Sequence, residues 1–223
     1  MNYLQLCQRM VRESGGLSGS GPSAVTGQVG EYANVVDWIA SAWLDIQREY
    51  RSAWRWMHQS FTLTISSGDA VYTASDAGLT DLRVWDVHSI KMYQSGVADE
   101  FFLDYLPYDQ FRATYLVGTQ STGRPQHFTV QPDNSLRFGW VPDGTYYVSG
   151  QYWQTPVTLA ANTDTPGMPS HFHDMIWQLA LMKYAVSDAV GEIYAGMQTS
   201  YNMLHGELVN DQLPDMTQAE PLV

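Results

Sequence analysis

The chain has 223 residues, 44% apolar and only 15% charged, enough for one large domain or two small ones and too apolar for a disordered chain. Its 11 Lys and Arg against 23 Asp and Glu leave a formal charge of −12. The cations are scattered singly, which excludes a protein that grips nucleic-acid phosphates. One cysteine, Cys7, excludes an internal disulfide and a cysteine-based metal site. No apolar run approaches the ~20 residues of a membrane span, and "MNYLQLCQRMVRES" lacks the apolar core of a signal peptide, so a soluble, non-exported chain is expected.

Residues 3–13 have the spacing of a short amphipathic helix, with Leu4, Cys7, Met10 and Val11 on one side. "SGGLSGSGPS" (14–23) reads as a loop; a phosphate cradle is disfavoured, because no strand precedes it and no Lys-Ser/Thr follows. Over 32–57, Val35, Ile39, Ala42 or Trp43, Ile46, Tyr50, Ala53 or Trp54, and Met57 recur at three and four. That predicts a helix about seven turns long with a core-facing stripe. The period then drops to two. "FTLTIS" (61–66) alternates Phe61, Leu63 and Ile65 with Thr and Ser, as a half-buried strand does.

Further strands are predicted at 70–73, 82–93, 100–106, 127–131, 135–140 and 144–154, with one or two helical turns in "LPYDQFRATY" (106–115). "PDNS" (132–135) and "PDGT" (142–145) supply hairpin-turn residues. Such closely spaced strands imply antiparallel pairing in a sandwich or small barrel. Helical spacing returns over 171–194. Phe172, Ile176, Leu179, Met182, Val186, Ala189 and Ile193 form one face, and Trp177, Leu181 and Tyr184 a second. A helix apolar on two sides must bury both, one against its own domain and one against a neighbour. A bend is expected near Gly191 and Gly196, and periodicity is lost from Asn210.

These elements predict an α+β fold: a helical bundle from the N- and C-terminal segments with an inserted antiparallel β-sandwich or barrel-like lobe. The expected partition is 1–60 with 168–208 as the helical domain, 61–167 as the β lobe and 209–223 as an extended tail.

The stretch "PSHFHDMIWQLALMKYA" (169–185) brings His171, His173 and Asp174 together. On a helix the two histidines lie about 200° apart, whereas zinc pairs use spacings of three or four. Ser170 is a favoured N-cap and Asp174 suits the positive end of the helix dipole, so the segment reads as a helix start. His58, His88, His127 and His205 fall in different elements. No nucleophile-elbow motif supports a Ser–His–Asp arrangement, and the neighbouring Asp99 and Glu100 side chains diverge. No catalytic, metal or cofactor site is predicted, and the chain is not expected to be an enzyme.

Three blocks resemble one family. They are "VVDWIASAWLDIQREYRSAWRWM" (35–57), with Trp38, Trp43 and the Trp54–Trp56 pair, and residues 111–159, with the Gly123-Arg124-Pro125 and Pro142-Asp143-Gly144 turns. The third is "DTPGMPSHFHDMIWQLAL" (164–181). In this order they are similar to the head-to-tail adaptor (connector) proteins of tailed bacteriophages. The resemblance implies a non-enzymatic virion protein in the neck, a ring of twelve copies beneath the portal. The ring would meet a downstream tail or nozzle protein and enclose a channel that DNA crosses without specific binding. Acidic charge suits such a wall, and a ring needs two different adhesive faces per subunit. The unpatterned tail is expected to dock into the portal through Leu213, Met216 and Leu222. Two other readings stay open: a carbohydrate- or receptor-binding β module of a phage tail, using exposed Tyr and Trp, and a metal hydrolase using His171 and His173.

Overall fold

The computed structural model describes residues 1–188 and 191–213. In chain order the elements are α1 (Tyr3–Ser14), α2 (Glu31–Arg48), β1 (His58–Ile65), β2 (Val71–Tyr72), β3 (Leu82–Tyr93), β4 (Phe101–Phe102) and β5 (Asp104–Tyr105). There follow α3 (Tyr108–Tyr115), β6 (His127–Val130), β7 (Leu136–Gly139), β8 (Tyr146–Gln154), α4 (Asp174–Ser187) and α5 (Gly191–Gln212). The fold is α+β. Residues divide into a helical unit, Met1–Met57 with the described residues from Pro156 onward, and a β unit, His58–Thr155.

In the helical unit, α1 starts with a capping box: the Asn2 side chain accepts from the Gln5 amide while Gln5 accepts from the Asn2 amide. Its buried face, Tyr3, Leu6, Cys7, Met10 and Val11, packs with α2 and α4. The glycine-rich loop folds back on these helices. At Gly21, whose φ is +96°, a Cβ would lie 2.9 Å from the Gln8 Cα, so only glycine fits.

The helix expected over 32–57 stops at Arg48 and is followed by 3-10 turns at Glu49–Ser52 and Arg55–Met57. The chain reverses through Tyr50, whose φ is +47°. Trp54, fully buried, then donates its indole N–H to the Ile46 carbonyl at 2.7 Å. That carbonyl is one of the orphans a helix end leaves, and the Trp54 side chain satisfies it.

The long C-terminal helix is likewise two helices, α4 and α5, joined by a Gln178 Nε2 to Ser200 Oγ hydrogen bond of 3.0 Å. Ser170 does not cap by its side chain: a 3-10 turn, Ser170–Phe172, precedes α4, and neither has a side-chain cap. Helix α5 continues to Gln212, so residues 209–212 belong to it and not to the expected tail. Segment 156–167, expected in the β lobe, is stitched to the helices. Asn162 O accepts from Leu4, Asn162 Oδ1 accepts from Val25, and Asp164 O accepts from Tyr3.

The β unit holds two four-stranded sheets, β1-β8-β3-β4 and β2-β7-β6-β5. Their inner faces share a core that includes Phe61, Ile65, Trp85, Met92, Phe128 and Val148. Strand β1 pairs with β8 without interruption from His58↔Trp153 to Ile65↔Tyr146. The β3–β8 register shifts between Asp86 and Lys91, where Ser89 Oγ accepts from the Gln151 amide at 2.7 Å and donates to Asp86 O.

Two expectations about pairing need correction. The second sheet is mixed, since β5 and β6 run parallel and the intervening chain carries α3. The Pro142-Asp143-Gly144 turn closes no hairpin, because it leads from β7 in one sheet to β8 in the other. The 132–135 turn does close one, with Asn134 at φ +66°.

Candidate functional site

The metal reading of His171 and His173 is met directly by the geometry. His173 is buried, with Nδ1 2.6 Å from the Met1 amine and Nε2 3.1 Å from Met168 O, so both ring nitrogens are engaged within the chain. Burial pushes its pKa below the usual histidine value, and the neighbouring amine acts in the same direction. His171 is exposed and rests on the Phe172 ring at 4.0 Å. Among the described residues no group of three or more His, Cys, Asp or Glu side chains is arranged to hold a metal ion.

Asp99 and Glu100 diverge, each to its own cation. Arg124 donates from Nη1 to Asp99 Oδ1 at 2.7 Å and from Nη2 to Asp99 O at 2.9 Å, which holds the Asp99 carboxyl below the usual range. Lys91 Nζ lies 3.1 Å from Glu100 Oε2. The Arg124 guanidinium also lies over Phe101, 4.6 Å from its ring centre. Gly123-Arg124-Pro125 is therefore a structural clasp. A Cβ at Gly123 would press on the Trp140 ring at 3.2 Å.

Most Tyr and Trp of the β unit are spent in packing, whereas Tyr105, Trp140 and Tyr147 keep an exposed face. Tyr72, Trp85, Tyr146 and Tyr152 are buried, and Trp153 stacks on His58 at 4.2 Å. Tyr93 and Tyr147 stack on each other at 5.2 Å.

What the helical unit offers is an interaction surface. On α4 the buried side is Met175, Ile176, Trp177, Ala180, Leu181 and Tyr184. Of the first expected face, Phe172 and Ile176 are buried, Leu179 and Met182 are half-buried and Val186 is 70% exposed. Leu179, Met182 and Val186, with Tyr194 of α5 and Asp45 and Glu49, line a groove of about 530 Å³. Lys183 on its wall is fixed by Asp45 Oδ2 at 2.6 Å and Ser41 Oγ at 3.0 Å.

Beside it lies a cluster that sequence reasoning did not assemble. His205 Nε2 is 2.8 Å from Glu49 Oε2, and its ring stacks on Tyr50 and Tyr201. Tyr201 donates to Glu49 Oε1 at 3.3 Å, and burial with the adjacent carboxylate raises its pKa well above the usual tyrosine value. These partners lie 152 and 156 residues apart in the chain, and no local pattern links them.

Of the expected tail anchors, Leu213 follows the last turn of α5, its amide donating to Val209 O at 3.1 Å. Met216 and Leu222 lie outside the described residues. No described helix is long and apolar enough to cross a membrane.

No curated protein matches the chain. A family model described as SU10 adaptor protein matches residues 1–221, and with that coverage the chain belongs to the SU10 adaptor family of phage head-to-tail adaptor proteins.

Proposed function

We propose that the protein is the structural ring between the portal and the tail or nozzle of a phage particle. Twelve copies stand beneath the portal and enclose the channel through which DNA leaves. The single observation that carries the ring is the outward face of α4. Val186 is exposed and Leu179 and Met182 beside it are only half-buried, against a fully packed opposite face. Apolar area of this kind on a monomer marks a surface that another molecule covers. Head-to-tail closure asks for such a face to meet a different one on the next copy. The charge of −12 supports a conduit: an acidic wall repels passing phosphates and keeps DNA unbound.

The tail beyond α5 is the portal-docking element of this proposal, with Leu213, Met216 and Leu222 as anchors. Its ten residues after Leu213 reach roughly 33 Å when extended. The test is the mass of the chain alone and mixed with portal, for the full chain and for a chain ending at Gln212, the last residue of α5. The expected result is a twelve-copy ring on the portal for the full chain only, with unchanged melting of the shortened one. Attachment by the shortened chain refutes the tail's role, and a failure of the full chain to form any ring on the portal refutes the reading as a whole.

A further inference from the structure

The four edges of the two sheets are unlike one another. Edge strands β2, β4 and β5 are two residues long, whereas β1 is eight. Natural edge strands are blunted by shortness, charge, proline or a bulge, because their unpaired N–H and C=O groups recruit further strands. Strand β1, "HQSFTLTI", has no Asp, Glu, Lys, Arg or Pro, and its register on β8 is unbroken. Phe61, Leu63 and Ile65 face the core, while Ser60, Thr62 and Thr64 are exposed. Among the described residues its only ladder is with β8, so alternate backbone groups over 60–65 have no strand partner along about 20 Å, and the 3-10 turn Ser75–Ala77 is the element that packs beside β1.

The same unit exposes a second uncharged segment with an unused backbone. After α3, residues Val117–Thr122, "VGTQST", are all exposed, Val117 at 73%. Ser121 O accepts from the Val141 amide and Thr122 bridges Val141, which ties the far end to the chain following β7. Among the described residues, no hydrogen bond engages the backbone from Val117 to Gln120. No charge falls between Arg112 and Arg124.

We infer that residues 117–121 of one copy, with Gly118 moving from φ +76° to extended backbone, add as a strand to the β1 edge of the next. Two arguments select a second copy. Chains that each carry −12 repel, so identical copies meet best where both sides are uncharged, as here. The two segments are also different surfaces, one an edge of the first sheet and the other a loop tied to the second, so the contact propagates head to tail. Main-chain hydrogen bonds supply the attraction, and Ser60, Thr62 and Thr64 opposite Thr119 and Ser121 supply hydroxyl pairs on the outer face. This inference rests on the ring proposed above and names one of its contacts.

The test is cysteine cross-linking of the full chain assembled on portal, pairing Cys at 60, 62 or 64 with Cys at 117, 119 or 121. Cys7 is buried and stays silent. A disulfide requires Cα atoms within about 7 Å, so only directly opposed positions join. The expected result is a ladder of covalent multiples from a pair such as T62C with T119C, and none from either alone. A ring of the expected mass with no ladder from any pairing overturns the contact and leaves the ring standing. A ladder from T62C alone shows β1 meeting β1 and also overturns it. T62K, at an exposed position, is expected to lower ring yield about tenfold with unchanged melting; an unchanged yield counts against the contact. If the wild-type chain forms no ring, ring and contact fall together.

Discussion

Trp54 decides where α2 ends, and substituting it separates packing from hydrogen bonding. The side chain is fully buried, stacked on Trp56 at 4.9 Å, edge-on to Tyr50 at 5.2 Å, and bonded through Nε1 to Ile46 O. Removing the ring in W54A deletes a large packed group and leaves a cavity, at about 3–5 kcal/mol. For a unit of this size that lowers the melting midpoint by roughly 10 °C. W54F keeps most of the ring contact and loses the N–H, so the Ile46 carbonyl is left buried without that donor, at about 1–2 kcal/mol. Urea unfolding followed by near-ultraviolet circular dichroism reads both values. The expected order is wild type, then W54F, then W54A, with a gap of at least about 1 kcal/mol at each step. A W54F midpoint equal to wild type would show that the indole bond does not terminate the helix. A W54A loss no larger than that of W54F would remove the aromatic stack from the explanation.

Three further outcomes are expected. His173 is held neutral by burial, so the unfolded chain takes up a proton near the ordinary value of 6.5 while the folded chain resists it. Its contribution is therefore intact above pH 6.5 and lost as the pH falls below it. Unfolding midpoints of wild type should drop between pH 7 and 5, and those of H173Q should drop less; parallel curves would refute this. Burial pushes the Cys7 thiol up to about 12, so a thiol reagent at pH 8 should label it only after denaturation, and rapid labelling of the native chain would contradict the packing of α1. At Gly139 a Cβ would sit 2.8 Å from the Tyr115 ring and 3.1 Å from Phe111, so G139A should destabilise the β unit by about 1–3 kcal/mol. A neutral G139A in thermal unfolding would mean that α3 does not press on that strand.

Strand β3 was legible to the residue, Leu82–Tyr93, although its buried positions change parity between Trp85 and Ile90. Its bulge was not, since four residues, 87–90, facing Gly150 alone depends on the partner strand. The same limit explains the Pro142-Asp143-Gly144 turn: turn chemistry reports that the chain bends, and strand order decides what the bend joins. The overlong α2 prediction has another cause. Tyr50, Trp54 and Met57 keep helical spacing through the 3-10 turns, so periodicity continues after the helix has ended. The end is set by Trp54 reaching back to Ile46, a contact no propensity encodes.

The interaction surfaces show what kind of information was missing. Both apolar faces of α4 were readable, but not which of them is packed, because a stripe marks only the need for a cover. Tyr184 tips the balance: its ring meets Trp38 of α2 at 5.6 Å, and its face carries Trp177 and Leu181 into the helical unit. Leu179 and Met182 are then left half-buried and Val186 exposed, with nothing in their own chemistry to distinguish them. Strand β1 follows the same logic. Its alternation was evident in "FTLTIS", yet its place at the sheet margin comes from β8 pairing with it on one side only. In both cases the residues are ordinary core formers by composition, and their availability to a partner arises from how the chain's other elements are used up.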